Sequence, residues 1–234
     1  MSLDPNTRVW RYMSFGKFVW MLQHKQLWLS NAELLDDKWE LMPLDQQLNY
    51  AINNRPQTLS AEAVTERVAT TVKALRKNTF VNCWTASDHE SHALWRIYCP
   101  SPEGVAIQTT LGRLRKSTGA SVMEVTYGPH EAGAVQQNPR KLVTQKRPMF
   151  AYEQEVRIVL VHDYGDPAHP ERKTVGVGLE WDPEVNIEMV RVHPDAHFLF
   201  METVTEVVRR LAPKLAVNGT PLVAWSEMSS GLPF

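Results

Sequence analysis

Hydrophobic and polar positions alternate over Arg8-Val-Trp-Arg-Tyr-Met13, which predicts a β-strand, and the pattern then shifts to a helical one over Phe15 to His24 with Ser14 at the cap position. Gln26-Leu-Trp-Leu-Ser30 reads as a second strand, and the paired aspartates of Asn31 to Glu40 as a turn or helix start. Leu44 to Asn53 is a helix that stops near Arg55-Pro56. A third helix starts at Thr58-Leu-Ser60 with Glu62 and runs to about Lys77, its apolar residues Val64, Val68, Val72 and Leu75 spaced for one face. Phe80 to Ser87 is a strand that leads into a helix over Ala93 to Tyr98, which Pro100 and Pro102 end. Gly104–Thr110 is a strand, Leu111–Ser117 a short helix and Ser121–Tyr127 another strand. His130 to Pro148 is polar, basic near its end, and reads as a loop that can act as a mobile cover.

Phe150 to Leu160 reads as a strand with Glu153, Glu155 and Arg157 on one face and Tyr152, Val156, Ile158 and Leu160 on the other. A turn over Asp163 to Arg172 would fold Lys173–Leu179 back as the second arm of a hairpin. Glu188–His193 is a strand, Pro194 opens a helix to about Leu211, and Pro221–Trp225 closes the sheet. Strands outnumber long helices and no regular βαβ alternation occurs. The pattern therefore predicts an α+β fold: a single domain over 1–234 with a mixed, mainly antiparallel sheet and packed helices.

Composition adds mostly exclusions. The chain has 234 residues, 43% hydrophobic and 22% charged, with a formal net charge of -1. This balance gives no strong nucleic-acid signal and no attraction to an anionic membrane. No apolar run reaches membrane-spanning length, and the short polar stretch Met1 to Thr7 is not a signal peptide, so the expected location is the cytoplasm. The two cysteines, Cys83 and Cys99, lack partners at metal-ligand spacing and read as reduced buried thiols. No metal is expected. Eight tryptophans are scattered along the chain as core anchors, with room for one or two to stack on a ligand ring.

Several segments, in their order here, resemble the bacterial domain-of-unknown-function 2971 family: Trp10-Arg-Tyr-Met-Ser-Phe15, Leu27-Trp-Leu-Ser30, Asp36-Asp-Lys-Trp-Glu40, Cys83-Trp-Thr-Ala-Ser87, Leu94-Trp-Arg-Ile-Tyr98 with Gly104-Val-Ala-Ile107, Tyr152-Glu-Gln-Glu-Val-Arg157 and Val190-Arg-Val-His-Pro-Asp195. The resemblance covers about residues 8–230 and departs at Leu35-Asp36-Asp37-Lys38 and at Ile97. It implies an uncharacterised bacterial protein and assigns no reaction.

A looser similarity of pattern links the chain to mono-ADP-ribosyltransferase-like folds. It rests on Arg11 in an early strand, Thr85-Ala-Ser87 ending a middle strand and Glu153-x-Glu155 opening a late one. That similarity implies an ADP-ribosyl transferase or glycohydrolase using NAD as substrate, a nucleotide partner, and an acceptor that the sequence does not name. Glu155 would stabilise the oxocarbenium-like transition state and Glu153 would help deprotonate or orient the acceptor. Arg11 would hold ribose or pyrophosphate oxygens, Ser87 and Thr85 would support the dinucleotide, and Trp95 or Tyr98 would wall it.

Other readings stand beside this one. Glu153, Glu155 and Arg157 also suit a solvated cross-strand salt-bridge row, and Trp95 with Tyr98 suits core packing. A non-catalytic module sensing a nucleotide or partner in bacterial defence would use Lys141, Lys146 and Arg147 for phosphates. A metal-dependent phosphodiesterase would rest on Asp36, Asp37, Glu153 and Glu155.

Overall fold

The computed structural model describes residues 3–130, 133, 138–162, 175–217 and 220–229. These residues fall into two compact units, one drawn from within 1–28, 83–119 and 178–234, the other from within 29–82 and 120–177. Among the described strands antiparallel pairings outnumber parallel ones. The fold is α+β, with a mixed, mainly antiparallel sheet and packed helices.

In the first unit β1 (Arg8–Ser14) lies between β3 (Thr79–Ala86) and β4 (Gly104–Thr110), followed outward by β10 (Met189–Val192) and β13 (Val223–Trp225). All seven residues of β1 are in register with β4, from Arg8 opposite Thr110 to Ser14 opposite Gly104. Burial on both faces makes β1 a central strand. Trp10 and Tyr12 pack against Leu94 and Trp95 of α4 (His92–Tyr98), while Val9 and Met13, on the other face, are also buried. Helix α1 (Phe15–His24) packs on α7 (Phe198–Leu211), and α5 (Leu111–Ser117) follows β4 directly. The short α6 (Pro183–Asn186) and the ribbon of β11 (Ala216–Val217) with β12 (Thr220–Pro221) complete the unit. Pro194 and Asp195 form a turn, so the helix expected from Pro194 starts at Phe198.

In the second unit β3 pairs with β2 (Gln26–Asn31) through Ser30 opposite Val81, and β8 (Glu155–Val161) pairs with both β3 and β5 (Ser121–Glu124). Helices α2 (Asp45–Asn53) and α3 (Ala61–Asn78) pack against each other. Helix α3 is closed at both ends by side chains: Ser60 Oγ accepts from Ala63 N–H, and Asn31 Nδ2 donates to Lys77 O.

Four local expectations are corrected. The strand expected over Ser121–Tyr127 breaks at Val125 into β5 and β6 (Thr126–Tyr127). β9 (Gly176–Glu180) pairs with β2, so the proposed hairpin with β8 does not form; the Asp163–Arg172 turn lies outside the described residues. The segment read as a polar cover buries Leu142, Val143, Thr144, Gln145 and Lys146 in a 3-10 turn (Pro139–Thr144) followed by β7 (Gln145–Lys146), because its apolar pair has a core to enter. Finally, Phe150–Glu153 is not strand: Pro148–Glu153 is a 3-10 turn, and Gln154 at φ 43° turns the chain sharply before β8 begins at Glu155.

Candidate functional site

That turn decides the geometry of the two glutamates. In a continuous strand Glu153 and Glu155 would point side by side; the left-handed Gln154 between them sends Glu153 off the end of the 3-10 turn instead. Glu155 stays on β8 with Arg157 on the same face, and this face is as buried as the one bearing Val156 and Ile158. The row therefore does not face water, which removes the solvated salt-bridge reading.

Five side chains meet in the second unit. Arg157, fully buried, donates through Nε to Glu155 Oε1 at 2.7 Å and through Nη2 to Glu155 Oε2 at 2.9 Å. The same Nη2 lies 2.8 Å from Glu40 Oε2, and Nη1 donates to Val143 O at 2.8 Å. Lys146 Nζ lies 2.5 Å from Glu153 Oε2, 3.0 Å from Glu40 Oε1 and 3.3 Å from Glu155 Oε2. None of the five side chains is more than 7% exposed. Three carboxylates and two cations leave the five with one net negative charge.

Burial pushes the Glu153 carboxyl above the ordinary carboxylate value; Lys146 opposes this, and Glu155 and Glu40 reinforce it. Burial alone would lower Lys146, but Glu155, Glu40 and Glu153 together hold its ammonium well above its usual range. Tyr127, whose hydroxyl oxygen accepts from Glu155 N–H at 2.6 Å, is pushed up to about 12, chiefly by burial. Around the cluster, the Phe150 ring lies 4.8 Å from Lys146 Nζ and 5.5 Å from Arg147 Cζ, and Met149 and Tyr152 are exposed beside it.

Glu40 and Lys146 were not singled out for this site by the sequence. Glu40 follows two aspartates that suggest a solvated turn, and Lys146 sits in a basic stretch; their apolar neighbours, Leu41 beside Glu40 and Leu142-Val143 ahead of Lys146, were the usable signal. Lys146 is thus buried and Arg147 is paired with Asp37 at 2.9 Å, so neither offers the phosphate contact a sensing module would need from it. Among the described residues no group of three or more His, Cys, Asp or Glu side chains is placed to hold a metal ion. Glu153 and Glu155 pair with Lys146 and Arg157, and Asp37 with Arg147, so Asp36, Asp37, Glu153 and Glu155 do not form such a group.

The remaining expected residues lie in the first unit. Arg11, half-buried, donates from Nη1 to Cys83 O at 2.6 Å. Thr85 is buried opposite Trp10. Ser87 Oγ donates to His89 O at 2.7 Å and accepts from His89 N–H, closing a turn at the end of β3. Trp95 has no exposed surface: its indole N–H donates to Glu90 Oε2 at 2.9 Å and its ring meets Tyr12 edge to face. Trp95 is a core side chain, whereas Tyr98 is 46% exposed.

No family model matches the chain, so the resemblance to the domain-of-unknown-function 2971 family is carried no further, and no curated protein matches either. Among solved structures, the chain is similar to Thermus sp. 2.9 DarT in complex with carba-NAD+, with a TM-score of 0.41 and 13% identity over 97% of this chain and 98% of that one. It is also similar to Thermus sp. 2.9 DarT in complex with ADP-ribosylated ssDNA, with a TM-score of 0.38 and 13% identity over 96% of each chain.

Proposed function

We propose that the protein cleaves the nicotinamide–ribose bond of NAD and passes the ADP-ribosyl group to an acceptor or to water, with Glu153 and Glu155 as the reacting carboxylates. One observation carries the reading: a buried cluster holds three carboxylates against two cations, an arrangement that is costly at rest and favourable to positive charge. As the C–N bond breaks, its electron pair neutralises the nicotinamide ring and positive charge develops at the ribose carbon. Glu155, clamped by Arg157, supplies fixed negative charge for that carbon. The acceptor's oxygen then bonds to it and gives its proton to Glu153, whose raised proton affinity suits a general base.

The test is mass-spectrometric detection of free nicotinamide after incubation with the dinucleotide, offered with water, single-stranded DNA or protein as acceptor. The wild type is expected to release it, and Glu153→Gln and Glu155→Gln are expected to lose release while keeping native near-UV circular dichroism.

A second reading is favoured by Glu155 itself, since Arg157 occupies both of its oxygens. The five residues would then be a structural ion core without turnover. Release of nicotinamide by none of the combinations, from protein that is folded, would select that reading over the first.

A further inference from the structure

The second unit has a cavity of about 440 Å³ between α2 and α3. Its walls include Ala51, Val64, Val68, Val72 and Leu142, of which all but Val68 are buried, so the space reaches from the core to the surface of α3. This is the size and lining of a small-molecule site.

Two arginines border it. Arg55 is exposed and donates from Nε to Leu59 O at 3.0 Å and from Nη1 to Ile52 O at 2.7 Å, which orients its guanidinium at the edge of the space. Arg67 lies three residues past Val64 on α3, is exposed, and lines the same space. The acid that interacts with Arg55, Glu62, is fully exposed, its carboxyl lowered first by hydrogen bonding at the start of α3, so it competes for Arg55 only through solvent.

We infer that this cavity binds an amphipathic organic carboxylate, its acyl or aryl body between α2 and α3 and its carboxylate on Arg55 and Arg67. An apolar wall selects the body, and the positive charge of Arg55 and Arg67 selects an anionic head over a neutral or cationic one. The inference is independent of the proposed reaction, because none of the five clustered ionic side chains lines the cavity.

Full-length protein titrated with octanoate, octylamine, octanol and acetate, followed by ligand-observed nuclear magnetic resonance, tests it. Saturable octanoate binding is expected, with octylamine, octanol and acetate each at least about tenfold weaker. Arg67→Gln is expected to weaken octanoate about tenfold, and Val68→Trp, which fills the cavity from a half-buried position, to abolish binding while nicotinamide release stays at its wild-type level. Equal affinity for octanol, or undiminished octanoate binding in Val68→Trp, would overturn the inference. A dimer seen by light scattering that Val68→Trp disperses would also overturn it, by assigning the cavity to a second copy of the chain.

Discussion

Replacing Lys146 by Met tests the ion cluster most directly. Lys146 Nζ lies within 3.3 Å of three carboxylates and is 7% exposed, and Met retains most of its volume without the charge. The substitution doubles the net negative charge of the five residues and strips Glu153 of its ammonium partner. Removing one partner of a buried ion pair costs about 3–5 kcal/mol. For a chain of this size that is a fall in Tm of about 6–20 °C, at about 2–4 °C per kcal/mol. The loss must depend on pH. A carboxyl whose folded-state pKa is raised binds its proton more tightly when folded, so its contribution is most favourable below the unfolded value near 4.5 and is lost as pH rises through the folded value. Without Lys146 the Glu153 value rises further, so the deficit relative to wild type is largest near neutral pH and shrinks on acidification. Lys146→Met/Glu153→Gln removes the stranded charge and is expected to recover about half of the loss or more, a coupling of about 0.5–3 kcal/mol. Urea unfolding followed by tryptophan fluorescence at pH 7 and pH 5 measures all of this. A loss below about 1 kcal/mol at pH 7, or a double variant no more stable than the single one, would refute the buried cluster.

Three further outcomes follow from single contacts. Tyr127→Phe removes the hydroxyl that accepts from Glu155 N–H and is expected to cost about 1–3 kcal/mol in urea unfolding. Gln154→Gly places the residue best suited to φ 43° at the turn before β8 and is expected to raise Tm by a few degrees, whereas Gln154→Val is expected to lower it by more than Gly raises it. Cys99, 2% exposed and donating to Met13 O at 3.3 Å, has its thiol pushed up to about 12 by burial, so at pH 8 about one molecule in 10,000 carries the thiolate; iodoacetamide is expected to reach it only after denaturation, and peptide mass mapping reads the difference.

Most elements were legible because their signals are local. Gly104–Thr110 and Leu111–Ser117 have the bounds that their patterns give, and α3 was marked by Ser60, Glu62 and a one-face repeat. Pairing was less legible, since it is decided by what lies across a strand. Lys173–Leu179 follows β8 in sequence, yet β9 pairs with β2, and nothing in either strand's own residues distinguishes the two partners. Burial of charge is illegible for a related reason: Glu155 and Arg157 look like a solvated row until Glu40 and Lys146, 115 positions back and 9 positions back from Glu155, are brought to them by the fold.

The backbone at Gln154 separates the two glutamates of the Glu153-x-Glu155 pattern. Glu153-x-Glu155 in a continuous strand would place two carboxylates on one face, where only a shared cation could relieve their repulsion. With the intervening residue left-handed, Glu155 keeps to Arg157 on β8, while Glu153 reaches Lys146 from the end of the 3-10 turn. The two acids thus acquire different principal partners, and burial raises the carboxyl of Glu153. This division needs the backbone at 154 more than the side chain there. Gln154→Gly should therefore preserve these separate pairings along with the fold, while a β-branched residue at 154, by drawing the chain back toward strand, should press the two carboxylates together and reduce stability most where both are ionised.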